Sequence, residues 1–236
     1  MKLAIMQPYF FPYLGYFSLI KHTDMFILFD TVQFIRHGWI ERNRILKPSE
    51  GWQYIKVPLK KHSRETIIKD ILIDNDQAWK EKILAQLQHY KKSAPYYLNV
   101  IGILKEVFSQ EYNSIVDLNL FSLNVVCNYL KIKTPIEIYS KMNLVIEQVN
   151  APDEWALNIC KSMKVVTEYW NPPGGKSFFH KEKYMKEGID LKFHEMKLIE
   201  YDQKRNKFEG NLSIIDVMMF NSREKIQEML DQYTLQ

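Results

Sequence analysis

The sequence predicts an α/β fold with a parallel or mixed central sheet and a helical insertion. A short apolar run at 3–6 is followed by a helical pattern at 14–22 and a second apolar run at 25–30, and this order of strand, helix and strand is typical of a parallel pair. Between about residues 76 and 131 the apolar residues follow helical spacing, and strand and helix patterns alternate again beyond residue 135. No glycine- or serine-rich linker divides the chain, so we expect one α/β domain rather than two.

Length and composition are those of a globular protein with a sizeable core. The chain has 236 residues, of which 46% are hydrophobic and 14% aromatic. Its net charge of +4 comes from interspersed basic and acidic residues, which disfavours a dedicated nucleic-acid-binding function. No apolar stretch approaches the ~20 residues of a membrane-spanning helix. Cys127 and Cys160 lie in apolar helical patterns and the N-terminus lacks a signal-peptide layout, which predicts reduced thiols and a cytoplasmic location.

The individual elements follow from local periodicity. In the N-terminal part we predict a helix at 14–22 and strands at 3–6, 25–30, 52–59 and 67–73. Within the insertion, helical spacing predicts helices at 77–90, 95–110 and 114–130. The C-terminal part is predicted to contain strands at 135–139, 165–170 and 191–193, a helix at 152–163, and one or two helices from 213 to the end.

The loop after the first strand is the first candidate site. Two prolines end the apolar run, and the loop that follows, QPYFFPYLGY, is rich in aromatic residues. Ligands of α/β folds bind in loops at the carboxyl ends of strands. We therefore predict that Gln7, Tyr9 and Tyr13 bind substrate.

A second candidate site follows the strand at 25–30. Asp30 ends this strand, and the next segment supplies five groups suited to recognition: Gln33, Trp39, Arg42, Asn43 and Arg44. The arginines suit phosphate or carboxylate, the tryptophan suits a sugar face or nucleobase, and Asp30 suits a general base. The competing interpretation is that Asp30 caps a turn and the arginines form surface pairs.

A third candidate site lies near the C-terminus. Tyr201, Gln203 and Ser213 come just before a predicted helix, and the N-terminus of a helix favours anions. Simple capping, with Ser213 and Asp216 at capping-box-like spacing, is the competing interpretation. No nucleophile elbow surrounds Ser213, so a hydrolase is not indicated.

Metal ligands and cofactor motifs are not evident. The six histidines form no HxxxH, HxH or cysteine pairing, so no metal site is predicted, and the sequence identifies no cofactor.

Several motifs resemble the WbqC-like family. They are MQPYFFPYLGYFSLI, FDTVQF, WIERNRI, APYY at 94–97, and YDQ with NLSIID near the end, which together span essentially the whole chain. The resemblance implies a bacterial protein from polysaccharide or O-antigen biosynthesis. The segment YWNPPGGKSFFH departs from the pattern, because Phe178 stands where a tyrosine is expected.

The first loop also has a weaker similarity to nucleotidylyltransferases and related folds. A strand followed by Tyr13-Leu14-Gly15-Tyr16 at a helix start is similar to their strand-HxGH-helix unit, with tyrosines in place of both histidines. Tyrosine donates hydrogen bonds but brings no positive charge to phosphates. The competing interpretation is an aromatic loop packed as core.

The residues and the resemblance together predict a transferase of cell-surface glycan precursor biosynthesis. It would move an acyl or aminoacyl group to an amino sugar carried by a nucleotide, with Asp30 removing a proton from the attacking amine. The expected partner is a small molecule, a nucleotide-sugar. The alternatives are a nucleotidylyl-transferring or adenylate-forming enzyme, and a non-catalytic glycan- or nucleotide-binding protein.

Overall fold

The computed structural model describes all 236 residues. Its strands are β1 (Lys2–Met6), β2 (Met25–Leu28), β3 (Arg42–Leu46), β4 (Trp52–Lys56), β5 (Ile136–Ile138), β6 (Glu168–Asn171), β7 (Asp190–Met196) and β8 (Tyr233–Leu235). Its α-helices are α1 (Leu14–His22), α2 (Trp79–Gln86), α3 (Tyr97–Phe108), α4 (Ile115–Tyr129), α5 (Glu154–Met163), α6 (Lys181–Lys186), α7 (Ile214–Phe220) and α8 (Arg223–Leu230). None of these helices combines the length and the apolar character needed to cross a membrane.

Six strands form the central sheet in the order β5-β2-β1-β6-β7-β8. Every neighbouring pair is parallel except β7 and β8. The prediction of an α/β fold with a parallel or mixed central sheet is confirmed, and the sheet is mostly parallel. Chain order runs outward in both directions from β1 and β6, and this reversal opens a crevice at their carboxyl ends. The loop that begins at Gln7 lies at this edge.

The two faces of the sheet bury different residues of the same strands. Ala4 and Phe26 belong to a cluster of 50 buried residues that also contains residues of α1, α3, α4, α7 and α8. Leu3 and Ile27 belong to a cluster of 13 that includes α5 residues. Successive side chains of a strand point to opposite faces, so both faces are covered, as is typical of parallel sheets. The larger cluster joins the insertion to the sheet, and the organisation of the chain as one domain stays a prediction.

The strand β3 was not predicted, because its sequence RNRIL is mostly polar. It pairs antiparallel with β4 in a separate two-stranded sheet, so the predicted strand at 52–59 exists but lies outside the central sheet. The strand predicted at 67–73 is wrong. That segment forms a 3-10 turn at Ile68–Asp70, because its amides bond to the backbone of the loop after β2, as Lys69 N does to Asp30 O at 2.8 Å.

The predicted helices are largely present. The helix predicted at 14–22 matches α1, and the 76–131 insertion contains α2, α3 and α4. The C-terminus differs from the prediction, because β8 follows α8 and extends the sheet. Tyr233 of β8 stacks on the buried ring of His194 at 4.4 Å between centroids, a contact that local periodicity could not reveal.

Candidate functional site

The loop after β1 is held in a strained conformation by two side chains from distant segments. Phe11 has φ of +39°, which is rare for a bulky residue and costs about 1–3 kcal/mol. Asn43 Nδ2 donates to the carbonyl oxygens of Phe10 and Phe11 at 3.0 and 2.9 Å. Ser213 Oγ donates to the same Phe11 oxygen at 2.7 Å. These bonds offset the strain and fix the loop.

Three more elements anchor the same loop. Asn119, fully buried in α4, donates from Nδ2 to Pro8 O at 2.9 Å. Tyr16 of α1 donates its hydroxyl to Gln7 O at 2.8 Å. The backbone amide of Ile214 donates to Pro12 O at 2.9 Å. The loop is therefore a rigid wall rather than a flexible connector.

This wall borders a cavity of about 340 Å³, which we call the loop cavity. Five predicted binding residues line it, and Pro12 and Asn211 complete it; the five are Tyr9, Tyr13, Trp39, Asn43 and Arg44. Its volume suits a small ligand. The structure thus brings together residues from two of the three candidate sites.

Arg44 is the cationic group of the loop cavity. Its guanidinium lies between two indole rings, 5.2 Å from the centroid of Trp39 and 5.1 Å from that of Trp52. One nitrogen, Nη2, donates to Asn211 O at 3.0 Å, and the buried Nε has no partner. Guanidinium carries five N–H donors. The two Nη1 hydrogens and one Nη2 hydrogen therefore remain unpaired, in a side chain held by two cation–π contacts.

Two tyrosines supply neutral hydroxyl groups. Burial raises the pKa of Tyr9 and of Tyr13 above the ordinary value, and their proximity raises that of Tyr9 further. Both stay protonated at neutral pH and can donate a hydrogen bond to a ligand. The lining residues include no carboxylate and no imidazole. The loop cavity is thus equipped to hold an anion and a flat or sugar-like group.

An apolar slot of about 90 Å³ adjoins the loop cavity. Tyr13 and Asn211 line both, and most of the other slot residues are apolar, among them Leu14, Leu198, Ile199, Phe208 and Leu212. A ligand that combines a charged end with a short aliphatic group would fit the two compartments.

The C-terminal candidates belong to a buried network around Asp216. This carboxylate accepts hydrogen bonds from Tyr90 (2.5 Å), Tyr201 (2.6 Å) and Gln203 (2.9 Å). Burial raises the pKa of Asp216 to about 6, although its three donors act in the opposite direction. Burial and the neighbouring Asp216 likewise raise the pKa of Tyr201. Tyr201 contributes its ring to the apolar slot, while its hydroxyl is occupied.

Gln203 and Ser213 are buried and internally bonded. Gln203 also accepts from Glu209 N at 2.9 Å, and Ser213 accepts from Ile215 N at 3.2 Å as the N-cap of α7. Capping thus accounts for Ser213, and Asp216 does not complete a capping box, because Ser213 N donates to Arg44 O. These contacts make both residues supports of the site.

Asp30 lies outside the loop cavity. It is 1% exposed, and its two oxygens accept from Ser140 N at 3.0 Å and from Ser140 Oγ at 2.6 Å. The pair joins the ends of β2 and β5. This placement accounts for Asp30 as a structural group, and its role as general base stays a prediction.

The remaining predicted residues have other surroundings. Arg42 stacks on Tyr54 at 4.2 Å and donates to the carbonyl of Gly38 at 3.2 Å, which closes the preceding turn instead of joining Arg44. Gln33 is exposed and donates to Arg64 O at 2.7 Å. Gln7 is half-buried directly after β1 and does not line the loop cavity.

Sequence reasoning missed Asn119 as a residue that supports the site, and it considered Asp216 only for its capping-box-like spacing. Each is a polar residue within an apolar helical run, VDLNLFSL and IIDVMM respectively, and each is fully buried. A polar residue on an apolar helix face needs an internal partner. That signal could have identified both residues as supports, though not their partners.

Cysteine chemistry and clustered metal ligands do not contribute to the site. Burial raises the pKa of Cys127 and of Cys160 to about 12, so both remain thiols within the core. No three or more His, Cys, Asp or Glu side chains are grouped as a metal site.

Fold and site together define an α/β protein with a small-molecule cavity at the carboxyl edge of its parallel sheet. The chain belongs to the WbqC-like protein family, whose model matches residues 7–228. It is 29% identical over 223 residues to the uncharacterized protein Rv1507c of Mycobacterium tuberculosis (strain ATCC 25618 / H37Rv), with 93% of each chain covered. No solved structure matches the chain.

Proposed function

We propose that this protein is a transferase of bacterial cell-surface polysaccharide precursor biosynthesis. In this proposal it moves an acyl or aminoacyl group to the amine of a nucleotide-linked amino sugar, and the loop cavity binds that nucleotide-sugar. The observation that carries the binding part is Arg44, a cation held between two indole rings with most of its donors unpaired. The biosynthetic setting rests on the family resemblance.

An anion is the ligand group best suited to Arg44. A guanidinium binds two oxygens of phosphate or carboxylate at once, and stacking reduces the entropy lost on binding. The hydroxyls of Tyr9 and Tyr13 add neutral donors beside it. The ring of Trp39 offers a flat surface for a sugar face or nucleobase.

The apolar slot supports the transfer part of the proposal. An acyl chain would occupy the slot while the anionic part of the ligand stays near Arg44, because the two spaces share Tyr13 and Asn211. The slot is small, which favours a short acyl or amino-acid side chain.

The proposed reaction forms a nitrogen–carbon bond between the sugar amine and the acyl carbonyl carbon. The bond from that carbon to the leaving sulfur or oxygen breaks, and the amine loses a proton. We keep Asp30 as the proposed proton acceptor. Because Asp30 lies outside the loop cavity, this role requires the amine to extend beyond the cavity lining and the carboxylate to exchange a hydrogen bond with Ser140 for one with the amine.

A second candidate function is nucleotidylyl transfer or adenylate formation. The strand order, with its reversal between β1 and β6, favours it because doubly wound sheets bind nucleotides at such points. Of the two tyrosines in the HxGH-like segment, Tyr13 lines the loop cavity, whereas Tyr16 is buried and bonded to Gln7 O. A non-catalytic binding protein is the third candidate, favoured by a cavity lining without carboxylate or imidazole.

Calorimetric titration with UDP-glucosamine, UDP-glucose, UDP and ATP tests the binding part. We expect UDP-glucosamine to bind, and Arg44→Ala to weaken binding by about tenfold or more, since a charge-assisted hydrogen bond contributes roughly 1.5–3 kcal/mol. Arg223→Ala removes a half-buried arginine on α8, outside the loop cavity, and serves as the charge-matched control. Binding of ATP alone would favour the second candidate, and unchanged affinity in Arg44→Ala would contradict the proposed site.

Acyl transfer from acetyl-coenzyme A and from aminoacyl adenylates to UDP-glucosamine tests the reaction. We expect Asp30→Asn to lower turnover strongly while the substrate still binds. Loss of the folded state in this variant would assign Asp30 to structure, and binding without turnover in the unmodified protein would favour the non-catalytic candidate.

A further inference from the structure

A second cavity, of about 270 Å³, lies beside the start of β3 and shares no lining residue with the loop cavity. We call it the basic cavity. Its lining includes Phe34, Glu41, His62 and four cationic side chains. Its volume is near the lower end of small-molecule pockets, roughly 300–1,000 Å³, which suits a ligand of one ring rather than a dinucleotide.

Glu41 is a buried carboxylate without a partner. The residue is 4% exposed, its Oε2 atom has no hydrogen-bond partner, and it takes part in no ion pair. Such a group costs folding free energy unless something completes its coordination. A hydroxyl or ammonium group of a ligand would do so.

His62 presents a second unsatisfied acceptor to the same cavity. Its Nδ1 lies 2.8 Å from the carbonyl oxygen of Lys60, and since a carbonyl only accepts, Nδ1 carries the hydrogen. In the neutral imidazole, Nε2 is then an acceptor, and this atom is buried without a partner. The ring packs edge-on against Phe34 with centroids 5.2 Å apart, which fixes its direction.

The rim of the basic cavity is positively charged and uncompensated. Four cationic side chains line it, and none of them forms an ion pair with an acidic residue: Arg36, Lys56, Lys60 and Lys61. Lysine and arginine clusters of this kind attract phosphate. The cavity thus combines an anion-attracting rim with two buried acceptors inside.

The wall of the basic cavity is held in place by Gln33. Its side chain donates to Arg64 O, and its backbone forms a β-bridge with Ile67, while Phe34 N donates to Thr66 O at 2.9 Å. These bonds tie the segment after β2 to the segment after β4. Gln33, predicted as a binding residue, is here a positioning residue.

We propose that the basic cavity binds a small phosphorylated amino sugar, with the phosphate on the rim cations and the ammonium or hydroxyl groups on Glu41 and His62. The two kinds of ligand group match the two kinds of unpaired protein group, donors at the rim and acceptors inside. This site does not depend on the proposed function of the loop cavity.

Calorimetric titration with glucosamine 6-phosphate, glucose 6-phosphate and inorganic phosphate tests the proposal. We expect glucosamine 6-phosphate to bind about tenfold or more tightly than glucose 6-phosphate, because its ammonium pairs with a buried carboxylate. Glu41→Gln should reduce this preference to within about twofold while leaving the phosphate affinity. The double variant Lys60→Ala and Lys61→Ala changes exposed side chains and should weaken all three ligands.

Arg44→Ala separates this proposal from the one for the loop cavity, since it should not change binding of glucosamine 6-phosphate. Three results would overturn the proposal: no binding of any of the three compounds, an unchanged preference in Glu41→Gln, or equal weak binding of all three that disappears at moderate salt.

Discussion

Two carboxylates are buried in this molecule in opposite circumstances. Asp216, beside the apolar slot, accepts three hydrogen bonds from Tyr90, Tyr201 and Gln203. Glu41, in the basic cavity, is 4% exposed and accepts none. Asp216 is hydrogen-bonded within the protein and therefore supports the fold, whereas Glu41 has no hydrogen-bond donor within the protein.

The comparison extends to the surroundings of each group. Around the loop cavity, Asn43, Ser213 and Asn119 donate hydrogen bonds to backbone carbonyl oxygens. The groups left to contact a ligand there are the guanidinium of Arg44 and the aromatic side chains. Around the basic cavity, Glu41 Oε2 and His62 Nε2 have no partner, and the four cationic side chains form no ion pair. Burial alone therefore does not distinguish a scaffold residue from a ligand-binding one, but the partners of each buried atom do.

The largest effect is expected from Asn43→Ala, which removes one of the side chains that hold the loop after β1. The substitution removes the donor to Phe10 O and Phe11 O and leaves a strained loop less supported, so unfolding free energy should fall by about 4 kcal/mol. Urea denaturation measures the change. Asn206→Ala, at an exposed position with an ordinary backbone conformation, should change stability by less than about 0.5 kcal/mol. Equal stability of the two variants would contradict the assignment.

The second prediction concerns the pH dependence that Asp216 contributes. Its pKa rises from 3.8 to about 6 on folding, so between about pH 4 and pH 6 the folded state holds a proton that the unfolded state has released. Stability from this group is therefore greatest below pH 4 and declines as the pH rises to 6. The difference between the two pKa values corresponds to roughly 3 kcal/mol.

Asp216→Asn removes this titration. The stability of the unmodified protein minus that of the variant should decrease by roughly 3 kcal/mol between pH 3.5 and pH 7, measured by urea denaturation at each pH. The difference isolates Asp216 from the other carboxylates, which titrate in both proteins. Parallel stability curves would show that Asp216 ionises as easily in the folded chain as in the unfolded one.

A smaller loss is expected from Ser213→Ala. The variant loses the N-cap of α7 and one of the two donors to Phe11 O, while Asn43 still holds the loop, so stability should fall by about 2 kcal/mol. Ser213→Thr keeps the hydroxyl and is the matched control. If Ser213→Ala instead abolished turnover with stability unchanged, the residue would belong to the catalytic machinery.

The smallest effect, and the sharpest test of the comparison, is the stability of Glu41→Gln. Replacing an unpaired buried carboxylate by a neutral amide of the same shape should raise the unfolding free energy by about 1 kcal/mol in the absence of ligand. Thermal unfolding in phosphate-free buffer measures it. A loss of more than about 1 kcal/mol would show that Glu41 has a stabilising partner in the protein.

Much of the fold could be predicted because it depends on local spacing. The helix α1 and the order of strands and helices follow from patterns within a few residues, and Tyr9, Tyr13, Trp39 and Arg44 were recognised as unusual for connecting segments. The strand β3 escaped because polar residues dominate it, and the 3-10 turn at Ile68–Asp70 resembled a strand in its spacing alone.

The roles of the polar residues depended on contacts that spacing does not encode. Ser213 donates to Phe11, 202 positions away in the chain, and Asn119 donates to Pro8, 111 positions away. Only the folded chain shows that these donors already have partners. The same holds for Asp30, whose pairing with Ser140 spans 110 positions.

Sequence periodicity was enough to predict the fold class, because burial patterns repeat every two or 3.6 residues. The composition of two loops predicted the aromatic and arginine residues that line the loop cavity. The unpaired state of Glu41 and the satisfied state of Asp216 became visible in the folded molecule alone. Both are buried carboxylates, and their difference lies in which donors the packing of distant segments brings within hydrogen-bonding distance.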